Sequence, residues 1–529
     1  MLMTARGRRG MVTSPHQLAS SAGIAILREG GNAIEASIGM AAALAVVYPH
    51  MTSIGGDGFW LIAPPGKDPI GIDACGAAVA AARPELYKAN GHATIPWRGP
   101  LAANTVAGTT SGWGAALALS QELGGGLPLS RLVEDAAWHA RNGFPVTASQ
   151  AALTSEKLPE LAAAPGFAST FLIDGRLPRE GETMRLAALG ATLEQLGRDG
   201  TESFYRGPLA RSLAANLSAA GSPVTSADLS AHRALRVNPL SVSLAGARLF
   251  NMPPPTQGLA SLMILSLYER LGIRESDRFD HIHGLVEATK QAFIVRDRII
   301  GDPASMTEDP RRFLEPQLLD GLAARIDRRR ALPWPAPVDK GDTVWLGAID
   351  GSGLAVSFIQ SIYFEFGSGV VLPDAGIVWQ NRGSSFLLEG RGPRALAPGR
   401  KPFHTLNPAL ARMSDGRVMV YGTMGGEGQP QTQSAIYSRY AIHGGSLQAA
   451  ISAPRWLLGK TWGANSVTLK LENRFDPQLV SALRDTGHDV ELLQGYSSTM
   501  GHAGAVVRHL DGSFEGAGDP RSDGCALGW

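Results

Sequence analysis

An α+β fold is what this sequence predicts, and three observations carry the prediction. Residues 344–349 and 354–359 are short apolar runs on either side of Asp350-Gly-Ser-Gly353, the pattern of a β-hairpin with both strands buried. Residues 11–48 hold two stretches in which apolar side chains recur at helical spacing. Residues 130–330 are mostly helical in pattern, so the chain carries helices as well as strands.

Taken in order, the first helix carries Leu18, Ala22, Ala25 and Ile26 on one face and ends at Gly30-Gly31. The second, residues 33–47, is apolar nearly all round and is expected to be sandwiched between other layers. A turn-rich connection, Pro49 to Gly58, leads into a strand at 59–63, and residues 95–113 read as a loop feeding a helix. Residues 186–196 and 203–220 are amphipathic, and 280–300 form a long helix. Residues 240–250 read as one strand, followed by the turn Asn251-Met-Pro-Pro-Pro-Thr-Gln-Gly258 and a helix at 259–271. Leu332-Pro-Trp-Pro-Ala-Pro337 can be neither helix nor central strand and reads as an exposed tether. Beyond the hairpin, residues 409–413 and 418–422 pair as a second one, whose last strand runs into Thr423-Met-Gly-Gly-Glu-Gly428.

Composition narrows the function classes. A chain of 529 residues with 44% hydrophobic and 18% charged side chains is a globular protein with room for a large core. A net charge of +1 gives no reason to expect nucleic acid or an anionic membrane as partner. No uncharged apolar run is long enough for a transmembrane helix, and the briefly basic start MLMTARGRRG is not followed by an apolar export segment, so a cytoplasmic location is expected. The two cysteines, Cys75 and Cys525, read as ordinary thiols. There is no GxxxxGK[ST] and no GxGxxG after a strand, which argues against a nucleotide cofactor. His16 and His50 lack a third ligand at suitable spacing, so turn and capping roles are expected and no metal.

The chemistry centres on Thr343. It opens a buried strand behind a pliable Gly341-Asp342 and the loose tether, an arrangement that suits a chain able to cut itself. A threonine hydroxyl is a weak nucleophile and needs a base beside it. An α-amine, with a pKa near ~7.7–8.0, is partly neutral at physiological pH, whereas a lysine amine near ~10.4 is not. A peptide nitrogen cannot accept the proton at all, so cleavage before Thr343 would switch the site on. At the end of the second hairpin, Gly425-Gly426 allows consecutive N–H groups to point into one concavity, which suits an oxyanion hole, although a plain tight turn has the same composition.

GMVTSPHQLAS, GGNAIEASIGMAAALAVVYPH and GGDGF at the start resemble the γ-glutamyltranspeptidase family of N-terminal-nucleophile hydrolases. So do the segment 95–113, the proline-rich turn 251–258 and the closing GHAGAVV and DGSFEGAGDPRSDGCALGW, so that the resemblance covers nearly the whole chain. It implies a four-layer αββα sandwich of two stacked, mainly antiparallel sheets between helical layers. It places the cut between Asp342 and Thr343, leaving a large subunit of residues 1–342 and a small one of 343–529 in one intertwined unit. It also implies that Ser361 positions the Thr343 amine or hydroxyl and that Gly425 and Gly426 form the oxyanion hole. His404 and Thr405 stand in place of the family's paired serines. No metal or organic cofactor is required, and a homodimer of the two-subunit unit is left open.

Several positions depart from the family pattern. Asp57 stands where a glycine is usual, and Tyr363 replaces an asparagine. Arg382 and Ser385 occupy the places of the Gln or Glu and the Asp that hold a substrate α-ammonium. An ammonium would be repelled by Arg382, whereas a guanidinium suits bidentate binding of a carboxylate. Arg83 and Arg98, near the position of the family's carboxylate-binding arginine, are alternative ligands. The pocket is therefore expected to take a small amide that carries a carboxylate and lacks an α-ammonium. Within the family, SFIQSIYFEFGSGVVLPDAGIVWQNRGSSF, PFHTLNP and MGGEGQPQTQ look most like the oxamate amidohydrolase branch, which forms oxalate and ammonia. The alternatives are a γ-glutamyl hydrolase or transferase, another acylase of the family, or a binding protein that has kept the fold without the chemistry.

Overall fold

The central hairpin forms as the sequence predicts and extends past both predicted ends, as Asp342–Asp350 paired antiparallel with Ala355–Tyr363. Asp350 closes its turn, Oδ1 accepting from Ser352 N–H at 2.9 Å and Leu354 N–H at 3.2 Å. The computed structural model describes residues 3–334, 342–459 and 466–529, and for Asp342 the backbone alone. The predicted tether therefore falls largely outside the described residues, as does Gly341.

The hairpin lies at the middle of a seven-stranded sheet, with Gly10–Ser14 and Cys525–Gly528 on one side and Asp57–Ala63, Ile70–Ala74 and Leu235–Val237 on the other. A second seven-stranded sheet runs Ala5–Gly7, Phe514–Gly518, Ala503–Arg508, Val418–Thr423, Ala409–Met413, Ala247–Asn251, Leu240–Leu244. Every pairing within both sheets is antiparallel. The side-chain period of two divides the hairpin between two cores. Val344, Leu346 and Ala348 face a helical layer that includes Ala33–Val47, while Trp345 and Ile349 face the other sheet with Phe59, Phe250, Leu410, Val420 and Val506. On its outer face the second sheet packs Leu249, Ala411, Met419 and Val507 against Gly258–Arg270 and Phe279–Ile299. Helix, sheet, sheet and helix thus form an αββα sandwich with three apolar seams, and both sheets draw strands from both sides of the 342–343 bond.

Local signals place most elements. Ala33–Val47 begins at an Asn32 capping box closed by Glu35, and all its side chains are buried, as its all-round apolarity requires. His16 caps Gln17–Arg28, Nδ1 accepting from Leu18 N–H at 3.1 Å, and the His50 ring lies 4.3 Å from the Tyr48 ring in the turn after the second helix. One expectation is corrected. The single strand read at 240–250 is two strands, Leu240–Leu244 and Ala247–Asn251, paired as a hairpin. Apolar alternation at Leu240, Val242 and Leu244 changes phase to Ala247 and Leu249 across the two-residue turn at Ala245-Gly246, whose Ala245 N–H is taken by the Glu269 carboxylate at 2.9 Å. The segment 203–220 likewise divides, into the 3-10 turn Thr201–Phe204 and the helix Pro208–Ala220, with Gly207 between them. Among the described residues no helix is long and apolar enough to cross a membrane.

Candidate active site

Thr343 is fully buried at the start of the central hairpin, where the ladder loses register. Asp342 pairs with Tyr363 and Val344 with Gln360, so Thr343 alone faces Ser361 and Ile362. Its hydroxyl donates to Ser361 Oγ at 3.3 Å, and Gln429 Nε2 donates to Thr343 Oγ1 at 3.4 Å. Ser361 Oγ also accepts from Tyr363 N–H at 2.8 Å, which fixes the rotamer of the serine. Tyr363 itself sits at φ 82°, a left-handed conformation that a tyrosine rarely adopts.

That conformation lays the Tyr363 ring under Arg382, whose Cζ lies 3.6 Å from the ring centroid. Arg382 opens the 3-10 turn Arg382–Ser385 and is fully buried. The turn seats so close to the 95–113 loop that a Cβ on Gly383 would fall 1.6 Å from Asn104 Oδ1, so a larger residue would displace it. Arg382 Nη1 donates to Thr405 Oγ1 at 3.3 Å, while Nε and Nη2 have no hydrogen-bond partner among the described residues. Two free donors on a buried guanidinium are costly unless a ligand uses them. Burial brings the guanidinium down to about 10, against the opposing pull of Tyr363, Asp57 and Cys75.

The counter-charge comes from Asp57. Its Oδ1 accepts from Gly76 N–H at 2.9 Å, Gly108 N–H at 3.2 Å and Gln380 Nε2 at 3.0 Å. Its Oδ2 lies 3.1 Å from His404 Nε2. Burial pushes the Asp57 carboxyl up to about 7, against those hydrogen bonds and the Arg382 charge. Burial also holds His404 well below its ordinary value, so its imidazole is neutral and Nε2–H is assigned as donor to Asp57.

The oxyanion candidates lie where Val418–Thr423 ends. Gly425 (φ 116°) and Gly426 (φ 51°) are both left-handed and lead through a 3-10 turn into the helix Gln429–Tyr437. The turn's own bonding begins with Gly428 N–H donating to Gly425 O at 2.8 Å, as expected for a helical start whose first N–H groups are left over.

The other predicted residues are placed as follows. Ser385 is buried, with Oγ donating to Phe403 O at 3.2 Å. Arg98 spends Nη1 on the Glu365 and Gly367 carbonyls, both at 2.6 Å, and Nε on Glu160 at 3.0 Å, so it braces the loop after the hairpin. Arg83 is exposed at the N-terminus of the helix Pro84–Ala89. Three residues that sequence reasoning did not place here are Asp57, Gln380 and Gln429. The change of a glycine to Asp57 was the one legible signal, since a carboxylate in an apolar turn needs partners.

Two groups of three potential metal ligands occur among the described residues, Asp57-Cys75-His404 and His283-Glu287-His488. In the first, both Asp57 oxygens are already used and the Arg382 and Lys401 charges oppose a further cation. In the second, Lys290 Nζ occupies the cation position 2.7 Å from Glu287 Oε1. In both groups the ligand atoms are already engaged by other groups of the protein.

The gamma-glutamyltranspeptidase family model matches residues 19–529. The chain belongs to that family. An oxamate amidohydrolase proenzyme of Klebsiella pneumoniae subsp. pneumoniae is 57% identical over 521 residues, 98% of each chain. A glutathione hydrolase-like proenzyme of Bacillus subtilis is 39% identical over 525 residues, 99% of each. Among solved structures, a cephalosporin acylase from Bacillus halodurans superposes with TM-score 0.91 at 32% identity, covering 100% of this chain and 97% of that one. The cephalosporin acylase thus shares this fold, and the names of these relatives record different substrates.

Proposed function

We propose that this γ-glutamyltranspeptidase-family chain is a self-processing amidohydrolase that converts oxamate to oxalate and ammonia. Cleavage at Asp342–Thr343 yields subunits of residues 1–342 and 343–529, whose interleaved strands hold them together. The freed Thr343 amine takes the proton from its own hydroxyl, and Oγ1 attacks the amide carbonyl. Ser361 and Gln429, both within hydrogen-bond reach of Oγ1, orient it. Gly425 and Gly426 N–H groups receive the negative oxygen of the tetrahedral intermediate. The amine returns the proton to the departing ammonia, and water then hydrolyses the acyl-threonine.

The observation that carries the substrate reading is the buried edge of Arg382. Nε and Nη2 point along the same side of a guanidinium, the fork that matches a carboxylate, and both lack a partner. Thr405, Tyr363 and Ser385 shape that pocket, and His404 acts one step back by holding Asp57. A γ-glutamyl substrate would need an acceptor for its α-ammonium, yet both Asp57 oxygens are engaged by donors from the protein. The 57% identical relative is named for the same substrate. A place in purine-ring catabolism, a cytoplasmic location and a homodimer of the two-subunit unit are proposed with this reading.

The test is ammonia release from oxamate, glutamine and glutathione, with γ-glutamyl-p-nitroanilide alongside. Oxamate should lead in kcat/KM by roughly 10²-fold or more, given ~2–5 kcal/mol for a desolvated charge pair. A higher kcat/KM for the γ-glutamyl anilide would instead establish the γ-glutamyl activity. A pH dependence also follows. An oxamate anion beside Arg382 raises the proton affinity of Asp57 still further, so binding takes up a proton once pH exceeds the free carboxyl's value of about 7. KM should be flat below that pH and rise above it by at most about tenfold per unit. Asp57→Asn should flatten the rise, and a wild-type KM constant from mildly acid to mildly alkaline pH would contradict the electrostatic account.

A further inference from the structure

Gln257 ends the proline-rich turn and is fully buried between two segments that the chemistry needs at a set separation. Its Nε2 donates to Thr405 O at 2.7 Å and to Gly426 O at 2.8 Å, so one amide group clips the pocket segment to the oxyanion segment. Its backbone N–H donates to His404 O at 3.0 Å, and Thr256 bridges His404 in parallel register, which anchors the clip to the pocket side. The amide has one usable orientation. Arg296 Nη1 donates to Gln257 Oε1 at 2.9 Å, so the two N–H donors must face the carbonyls. Arg296 is 1% exposed, and its Nη2 also holds Glu427, next to Gly426, at 2.8 Å.

We propose that Gln257, oriented by Arg296, is a positioning and specificity-determining residue that sets the distance between the oxyanion hole and the carboxylate pocket. Thr405 hydrogen-bonds Arg382, and Gly426 supplies one of the oxyanion N–H groups, so the clip spans from the carboxylate end of the substrate to its carbonyl end. In oxamate those two carbons are directly bonded. A site held at that spacing accepts a two-carbon amide and rejects the acid with one more methylene. The inference rests on the oxamate reading for the identity of the two ends, and on the hydrogen bonds alone for the clip.

The experiment compares oxamate with malonamate, one methylene longer, in wild type, Gln257→Met and Gln257→Glu. Glutamate keeps the oxygen that Arg296 holds and replaces the donors by an oxygen facing two carbonyls; methionine keeps the volume and removes all three bonds. Rates are normalised to the processed fraction on a denaturing gel, and melting temperatures are recorded for each variant. Both variants should lose roughly 10²-fold in kcat on oxamate, as for a lost oxyanion donor. On malonamate the loss should be less than about tenfold, so the preference for oxamate falls at least tenfold. Equal losses on both amides, or no loss on either, in a variant that melts with the wild type would overturn the proposal. A wild type that does not turn over oxamate would overturn the substrate reading instead. The clip is then tested by the same ratio on any pair of amides, differing by one methylene, that the wild type does hydrolyse.

Discussion

Thr343→Ala leaves one uncut chain on a denaturing gel where the wild type gives two, and amide hydrolysis falls by roughly 10⁴-fold or more, since the covalent route is gone. The reason lies in what the residue must supply twice. Before cleavage its hydroxyl attacks the Asp342 carbonyl; afterwards the same oxygen attacks substrate with its own amine as base. The fold should survive the change, because Thr343 is packed by its neighbours more than it packs them, and Val344, Leu346 and Ala348 carry the burial of that strand. Thr343→Ser should still process, since a hydroxyl remains on the same carbon. Two bands from the alanine variant, or a mature small subunit beginning at another residue, would refute the assignment.

Arg382→Gln should reduce kcat/KM on oxamate by roughly 10²–10³-fold, the scale of removing one partner of a desolvated, hydrogen-bonded charge pair at ~2–5 kcal/mol. The loss should fall mostly in KM, because the carboxylate is bound in the ground state and in the transition state alike. Arg382→Lys separates charge from geometry. It keeps a cation to balance Asp57 but has no Nε–Nη2 edge, and its compact ammonium stacks less well on Tyr363. Processing should persist in both variants, and oxamate affinity should remain weak in the lysine variant as well. Unchanged oxamate kinetics in Arg382→Gln would remove the carboxylate role from this residue, and Arg98, whose Nη1 is committed to the Glu365 and Gly367 carbonyls, is poorly placed to take it over.

Much of the proposed site could be proposed before any coordinates. Thr343 announced itself by standing first in a buried strand behind Gly-Asp, and Gly425-Gly426 by closing one; both are local patterns that backbone geometry makes visible. Arg382 became legible as a charge where an ammonium-binding carboxylate or amide was expected. Gln257, Gln380 and Gln429 were not readable as site residues, and Asp57 showed only as a carboxylate in place of a glycine, because an amide or a carboxylate has no periodic signature and its role is set by whichever groups come within about 3 Å of it. The strand that proved to be a hairpin did leave a trace, since apolar alternation changes phase across Ala245-Gly246, and a two-residue turn is short enough to be read over as one continuous run.

The amino-acid sequence by itself determined the family and the layered α+β plan, since these depend on residue type, order and spacing. Only the tertiary structure decided that Arg382 keeps two unpartnered donors among the described residues, that the Asp57 carboxylate faces its charge, and that one Gln257 amide joins the Thr405 and Gly426 carbonyls. Those are distances between groups drawn from both sheets and from both sides of residue 343, and burial, which makes each hydrogen bond there consequential, exists only once the layers close.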